Sequence, residues 1–262
     1  MTKNTLYILT LGLLVGLSSC VSNKKTIYFR DIPTDSPWVN LAAYHEPLIQ
    51  VDDILHITIQ TIDGGTTASI NQLSGNPANA GNPAAPTIGD NVPTGYLVDE
   101  EGQVTIPMLG TLKVAGLTTP EARKLISEAA SKYFNDPTVQ VRFANFKITV
   151  LGEVAKPATY TVPNEKITLL DAIGMAGDLT IHGLRENVLL VRDNNGQKEF
   201  VRFNLNSYET FESPYFYLKQ NDVIYVEPGK SKVASTNVAR TQAISIFASA
   251  VTIITVIISR LF

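Results

Sequence analysis

Seventeen consecutive positions without a charge, residues 243–259 (AISIFASAVTIITVIIS), constrain this chain more than any other stretch. Extended past Arg260 to Phe262, the run would be roughly 30 Å long as a helix, the thickness of a bilayer's hydrocarbon core. Nine of the seventeen are Ile, Val or Phe, which favours insertion by roughly 3–5 kcal/mol. The expectation is therefore a single transmembrane helix over 243–262. Five hydroxyls interrupt it: Ser245, Ser249, Thr252, Thr255 and Ser259. At 100° per residue they fall within an arc of about 120° and form one polar stripe. Two readings stand side by side. The stripe packs against copies of itself or lines a wet lumen, or each hydroxyl bonds back to its own i−4 carbonyl in a plain anchor.

The other end is a targeting segment. Lys3 is followed by a short apolar run, residues 6–17 (LYILTLGLLVGL), and then small residues. This is the h-region of a signal peptide, too short to span a membrane comfortably. Leu17, Ser18, Ser19 and Cys20 resemble a bacterial lipobox, which implies cleavage before Cys20 and acylation of its new amino group and its sulfur. Cys20 is the chain's only cysteine, so no intrachain disulfide framework and no multi-Cys zinc site exists. Residues 20–45 read as a tether.

Two folded units are expected between these ends. In the first, residues 46–147, Leu55, Ile57 and Ile59 alternate with Ile54, His56 and Thr58, the period of a half-buried strand. Residues 63–95 are rich in Gly, Pro, Asn, Ala and Thr, a composition that cannot offset its ordering entropy, and read as a mobile loop. Strand segments follow around 96–98, 104–107 and 112–114. Thr118, Pro120 and Glu121 then mark a helix start with a capping box. Ala122, Leu125, Ile126, Ala129 and Tyr133 share one face of that helix, Asn135-Asp136-Pro137 stops it, and 139–143 alternates as a strand. The second unit, residues 148–228, reads as strand, turn, strand, a helix capped by Thr168 and Asp171, a hairpin around 193–196, and a closing strand 222–226. A linker, 229–242, leads to the terminal helix.

A formal charge of −3 argues against a nucleic-acid binder. His45, His56 and His182 are scattered, and no metal site is expected. No phosphate loop, nucleophile elbow or zinc-protease motif is present. Asp52-Asp53 and Glu100-Glu101 read as solvated or turn residues, and Tyr215-Phe216-Tyr217 as core packing rather than a sugar-stacking platform. Neither an enzyme nor a cofactor is expected.

The segment Ile54-Leu55-His56-Ile57 with residues 96–110 (YLVDEEGQVTIPMLG) and Gly116-Leu117-Thr118 resembles the export domain of outer-membrane polysaccharide exporters of the Wza-like family. Asp53, Leu55, Gly102, Pro107, Gly110 and Gly116 carry that motif. Gly152, Val154, Pro157, Tyr160, Asp171 and Gly177 are similar to a soluble-ligand-binding β-grasp (SLBB) domain, with Ala158 and Asp178 at positions where Gly is common. The resemblance implies an α+β protein made of a periplasmic export domain and one SLBB domain, followed by the transmembrane helix. It also implies an outer-membrane lipoprotein, anchored at Cys20, that forms an octamer-like ring as a conduit for capsular polysaccharide or exopolysaccharide. An inner-membrane co-polymerase, often a tyrosine autokinase, would be its partner. The other reading is a periplasmic adaptor or sugar-binding lipoprotein with a plain anchor and no pore.

Overall fold

The computed structural model describes residues 27–33, 38, 40–62, 67, 71, 94–194, 196–230, 232 and 238–261. The signal segment and Cys20 lie outside them, as does nearly all of the expected loop 63–95. The exceptions in that loop include Asn71, whose amide accepts from Ile59 N and donates to Ile59 O.

The first unit is a three-stranded antiparallel sheet in the order β2-β1-β5, from β1 (Ile54–Gln60), β2 (Tyr96–Leu97) and β5 (Thr138–Phe143). The alternation in β1 is realised: Leu55, Ile57 and Ile59 are buried and the intervening residues are not. The strand starts later than the apolar run that precedes it. Asp52 takes a positive φ of 68° and Asp53 Oδ2 accepts from Gln50 N at 2.7 Å, a turn that breaks the extended backbone before Ile54. A hairpin of β3 (Gln103–Ile106) and β4 (Gly110–Lys113) sends Val104 and Ile106 into the same core.

Helix α1 (Thr119–Ala130) begins with both halves of the Thr118–Glu121 capping box in place. It buries Thr119, Ala122, Ile126 and Ala130. Tyr133, expected on that face, is exposed because the helix has already ended.

The second unit is a five-stranded mixed sheet in the order β7-β6-β10-β8-β9. Its strands are β6 (Lys147–Gly152), β7 (Ala158–Thr161), β8 (Gly183–Asn194), β9 (Gln197–Phe203) and β10 (Val223–Pro228). The parallel β6–β10 pair lies at its centre, and all other pairings are antiparallel. Helix α2 (Leu169–Met175), again opened by a complete capping box, from Thr168 and Asp171, packs Leu169, Ala172 and Ile173 onto the core. A 3₁₀ turn, η1 (Tyr208–Glu212), closes the loop after β9.

The described part of the tether is pinned to this second unit. Phe29 N and Arg30 N donate to Leu205 O and Asn206 O at 3.0 and 2.9 Å, and Asp31 accepts from the Ser207 hydroxyl and Tyr208 N. The Tyr28 hydroxyl donates to Asp178. Asp178 sits at φ 74°, the left-handed conformation that explains why Gly suits this position. Its carboxylate offsets the strain by accepting from Leu179 N as well as Tyr28.

Helix α3 (Val238–Leu261) starts inside the expected linker. The expectation of a transmembrane helix over 243–262 is corrected here: among the described residues no helix is long and apolar enough to cross a membrane. Arg240, Thr241 and Gln242 occupy its first turns. Beyond them hydroxyls recur every three or four residues between small alanines, which shortens the continuous apolar surface.

Candidate functional site

The two units meet along a polar seam. Phe143, at the end of β5, packs against both cores, its ring 6.0 Å from Phe146. Asn145, between the units, accepts from Ile54 N at 3.0 Å and donates to Asp52 O. Gln220, in the turn before β10, donates to Asp53 Oδ1 at 2.7 Å. Thr119 of α1 donates to Glu165 Oε2 at 2.8 Å. Burial pushes the Asp53 carboxyl above its ordinary value, a rise that the bonds from Gln50 and Gln220 partly offset. Burial likewise raises Glu165, with Thr119 opposing. Lys166 Nζ lies 5.2 and 5.4 Å from the ring centres of Tyr44 and Tyr217, which meet edge to face.

Beside this seam, between the entry segment around His45–Gln50 and the end of the second sheet, lies a cleft of about 380 Å³. Its walls include His45, Gln50, Arg192, Asp193, Glu199, Tyr215, Tyr217 and Lys219. The run 215–217 leaves a turn closed by Phe216 N donating to Ser213 O at 2.9 Å; Phe216 is buried in the core, while Tyr215 and Tyr217 pack partly against that core and also line the cleft. Arg192, on β8, is 5% exposed. Its Nε and Nη2 reach the fully buried carboxylate of Asp222 at 3.0 and 2.7 Å, and Nη2 also donates to Tyr217 O. Asp222 Oδ2 further accepts from Lys219 N at 2.8 Å. The guanidinium carbon stands 5.4 Å from the Tyr215 ring centre, and the Tyr215 hydroxyl donates to Glu199. That bond raises the Tyr215 phenol above its ordinary value.

The export-domain motif residues take other positions. Asp53 is in the seam and Leu55 in the core. Gly102 and Gly116 hold left-handed turns, Gly116 N bonding Ile49 O. Pro107 and Gly110 shape the β3–β4 turn, where Met108 also has positive φ. In the second unit, Gly152 (φ 89°) lies hard against Val226, and Val154 is buried and bridges to Leu179. Pro157 is in the turn before β7, Tyr160 donates to Lys156 O, Asp171 caps α2, and Gly177 follows it at φ 75°. Both motif sets therefore build the scaffold, and none of these residues lines the cleft. Of the cleft residues, His45 reads from sequence only as a scattered His and Tyr215 and Tyr217 as core packing, while Arg192 and Asp222 meet only through the β8–β10 pairing and carry no local signal.

On α3, Ser249 donates to Ser245 O at 2.8 Å and Thr252 to Ala248 O at 2.6 Å, the i−4 back-bonding of a plain helix. The side chains of Thr255 and Ser259 lie outside the described residues. Ile246, Phe247, Ile253 and Ile254 are all more than half exposed. Among the described residues no group of three or more His, Cys, Asp or Glu is placed to hold a metal ion.

Comparison with known proteins gives two consecutive family matches. Residues 42–144 match the family described as polysaccharide biosynthesis/export protein, and residues 147–202 match the SLBB domain. The chain is 30% identical over 151 residues to the EPS I polysaccharide export outer membrane protein EpsA of Ralstonia solanacearum, covering 56% of this chain and 39% of that protein. It is 32% identical over 117 residues to the exopolysaccharide production protein ExoF of Rhizobium meliloti, covering 43% of this chain and 24% of that one. The chain thus spans well under half the length of either relative.

Proposed function

Because residues 42–144 match the polysaccharide biosynthesis/export family and residues 147–202, directly after them, match the SLBB domain, we propose that this chain serves in the export of exopolysaccharide across the outer membrane. It is a transport component and not an enzyme. The observation that carries this reading is the uninterrupted order of the two domains, welded into one body by the Asp53–Gln220 and Asn145 bonds. A rigid two-domain body is what a subunit needs if its position relative to its neighbours is to define a passage.

In the finer reading the mature chain is held at the outer membrane through acyl groups on Cys20. Copies gather in a ring, and an inner-membrane co-polymerase delivers the polymer. One feature supports assembly of copies: the exposed apolar side chains of α3, which need a cover.

The test is deletion of the gene in its own cell, with surface polysaccharide measured and the wild-type chain or Cys20→Ser returned on a plasmid. Deletion should abolish surface polymer, the wild-type chain should restore it, and Cys20→Ser should not. Unchanged surface polymer after deletion overturns the export reading. A detergent-extracted chain that stays monomeric at every concentration by mass photometry overturns the ring.

A further inference from the structure

We propose that the cleft beside the seam binds an acidic sugar residue, a pyranose bearing one carboxylate. This deepens the export reading and rests on it for the source of the ligand. The carrying observation is Arg192. Four hydrogen bonds are spent on Asp222 and Tyr217 O, through Nε and Nη2 alone. Nη1 has no partner among the described residues. Among the described residues the buried unpaired side-chain atoms are Arg185 Nε, Asn206 Oδ1 and Gln220 Oε1, and Arg192 Nη1 is not one of them. A side chain that is only 5% exposed thus keeps one charged donor open to the cleft it lines. An unused donor of a guanidinium inside a wall is a strong site for a carboxylate oxygen, because hydrogen bonds between charged groups are about twice as strong as neutral ones.

The remaining walls select the rest of the ligand. Of the charged groups that line the cleft, Arg192 is matched by Asp222 and Asp193 by Lys198, which leaves Lys219 and Glu199 as one cation and one carboxylate in the walls. That balance disfavours a polyanion such as a polyphosphate and suits a single negative charge surrounded by hydroxyls, for which the carboxylate is an acceptor. Tyr215 and Tyr217 add amphipathic rings against which the apolar face of a pyranose can lie. Arg192 cannot swing away to follow a passing group, since Asp222 and the Tyr215 ring hold it from two sides. The volume of about 380 Å³ falls in the usual range for small-molecule sites, roughly 300–1,000 Å³.

The experiment is titration calorimetry on the full detergent-extracted chain with four probes: glucuronate, a glucuronate-containing tetrasaccharide, maltotetraose and inorganic phosphate. The tetrasaccharide should bind at least about tenfold tighter than maltotetraose, and phosphate should not compete with it. Glucuronate competing as well as the tetrasaccharide would assign the site to a free monosaccharide instead of the polymer and overturn that part. Arg192→Lys keeps the charge at Asp222 but removes Nη1, and should weaken tetrasaccharide binding at least about tenfold, the change a lost hydrogen bond between charged groups produces. Should that variant not fold, Lys219→Ala, which leaves the buried pair and the ring over it alone, should weaken it too. Equal binding of acidic and neutral sugars, no binding of either, or unchanged affinity in the variants overturns the proposal. Deletion that abolishes surface polymer while the chain binds no uronate removes this site and leaves the export reading standing; uronate binding with unchanged export does the reverse.

Discussion

Asp53 and Gln220 stand 167 residues apart and share a 2.7 Å hydrogen bond across the seam between the two units. Asp53 is buried, and its other oxygen holds the Gln50 amide. Gln220 has already left its own Oε1 unpaired. Asp53→Ala orphans two donors at once and should destabilise the chain by about 2–3 kcal/mol in urea unfolding. Asp53→Asn, which keeps one acceptor, should cost less. A double-mutant cycle with Gln220→Ala should return a coupling of about 1 kcal/mol; zero coupling would mean that the units are held by something else.

Glu165 gives the same seam a pH dependence. Burial lifts its carboxyl above the ordinary 4.5, so the folded chain keeps this proton to higher pH than the unfolded chain does. The contribution to stability is full below 4.5 and is lost as pH rises through the raised folded value. Glu165→Gln carries no proton to lose. Its melting temperature relative to the wild type should therefore climb between pH 4 and 7, as measured by calorimetry at matched ionic strength. Parallel profiles for the two proteins would sink this account.

The two capping boxes allow a paired comparison. Thr118 and Thr168 each accept from the N3 amide and receive the N3 carboxylate. Thr118→Ala and Thr168→Ala should each cost about 1 kcal/mol, and the Ser variants only a few tenths. Equal stability of the Ala and Ser forms in guanidinium unfolding would show that the caps contribute nothing measurable.

Gly152 and Gly110 share a positive φ, of 89° and 84°, but not their surroundings. A Cβ at Gly152 would come within 2.0 Å of Val226 O in the central parallel pair, whereas at Gly110 it meets nothing within 4 Å. Gly110→Ala should cost about 1–2 kcal/mol, the backbone strain alone. Gly152→Ala should cost clearly more, because β6 and β10 must also separate. Circular dichroism melts of the two variants decide the order.

Local signals were readable in the sequence and long-range ones were not. The alternation of Leu55, Ile57 and Ile59, both capping boxes and the turn at Gly196 depend on neighbours within about four positions, and all appear in the structure. The parallel pairing of β6 with β10 is set by a connection of more than sixty residues, and with it the meeting of Arg192 and Asp222. No periodicity encodes that. The stretch before residue 45 reads as a tether because its bonds to Leu205, Asn206 and Ser207 use backbone and small polar groups, and its apolar contacts, such as Phe29 on Phe211, are isolated and follow no period. The terminal run read as a membrane span on its Ile and Val content, whereas the helix also takes in the polar turn before it.

Phe29, Arg30 and Asp31 are fastened to Leu205, Asn206 and Ser207. Tension applied anywhere upstream of residue 27 therefore enters the molecule at the loop after β9, on the far edge of the second sheet, and not at β1, which is nearer in the chain. The first unit stays shielded even if these few bonds part, because Ala42 N, farther along the same segment, also bonds the second unit at Phe211 O, 2.9 Å away.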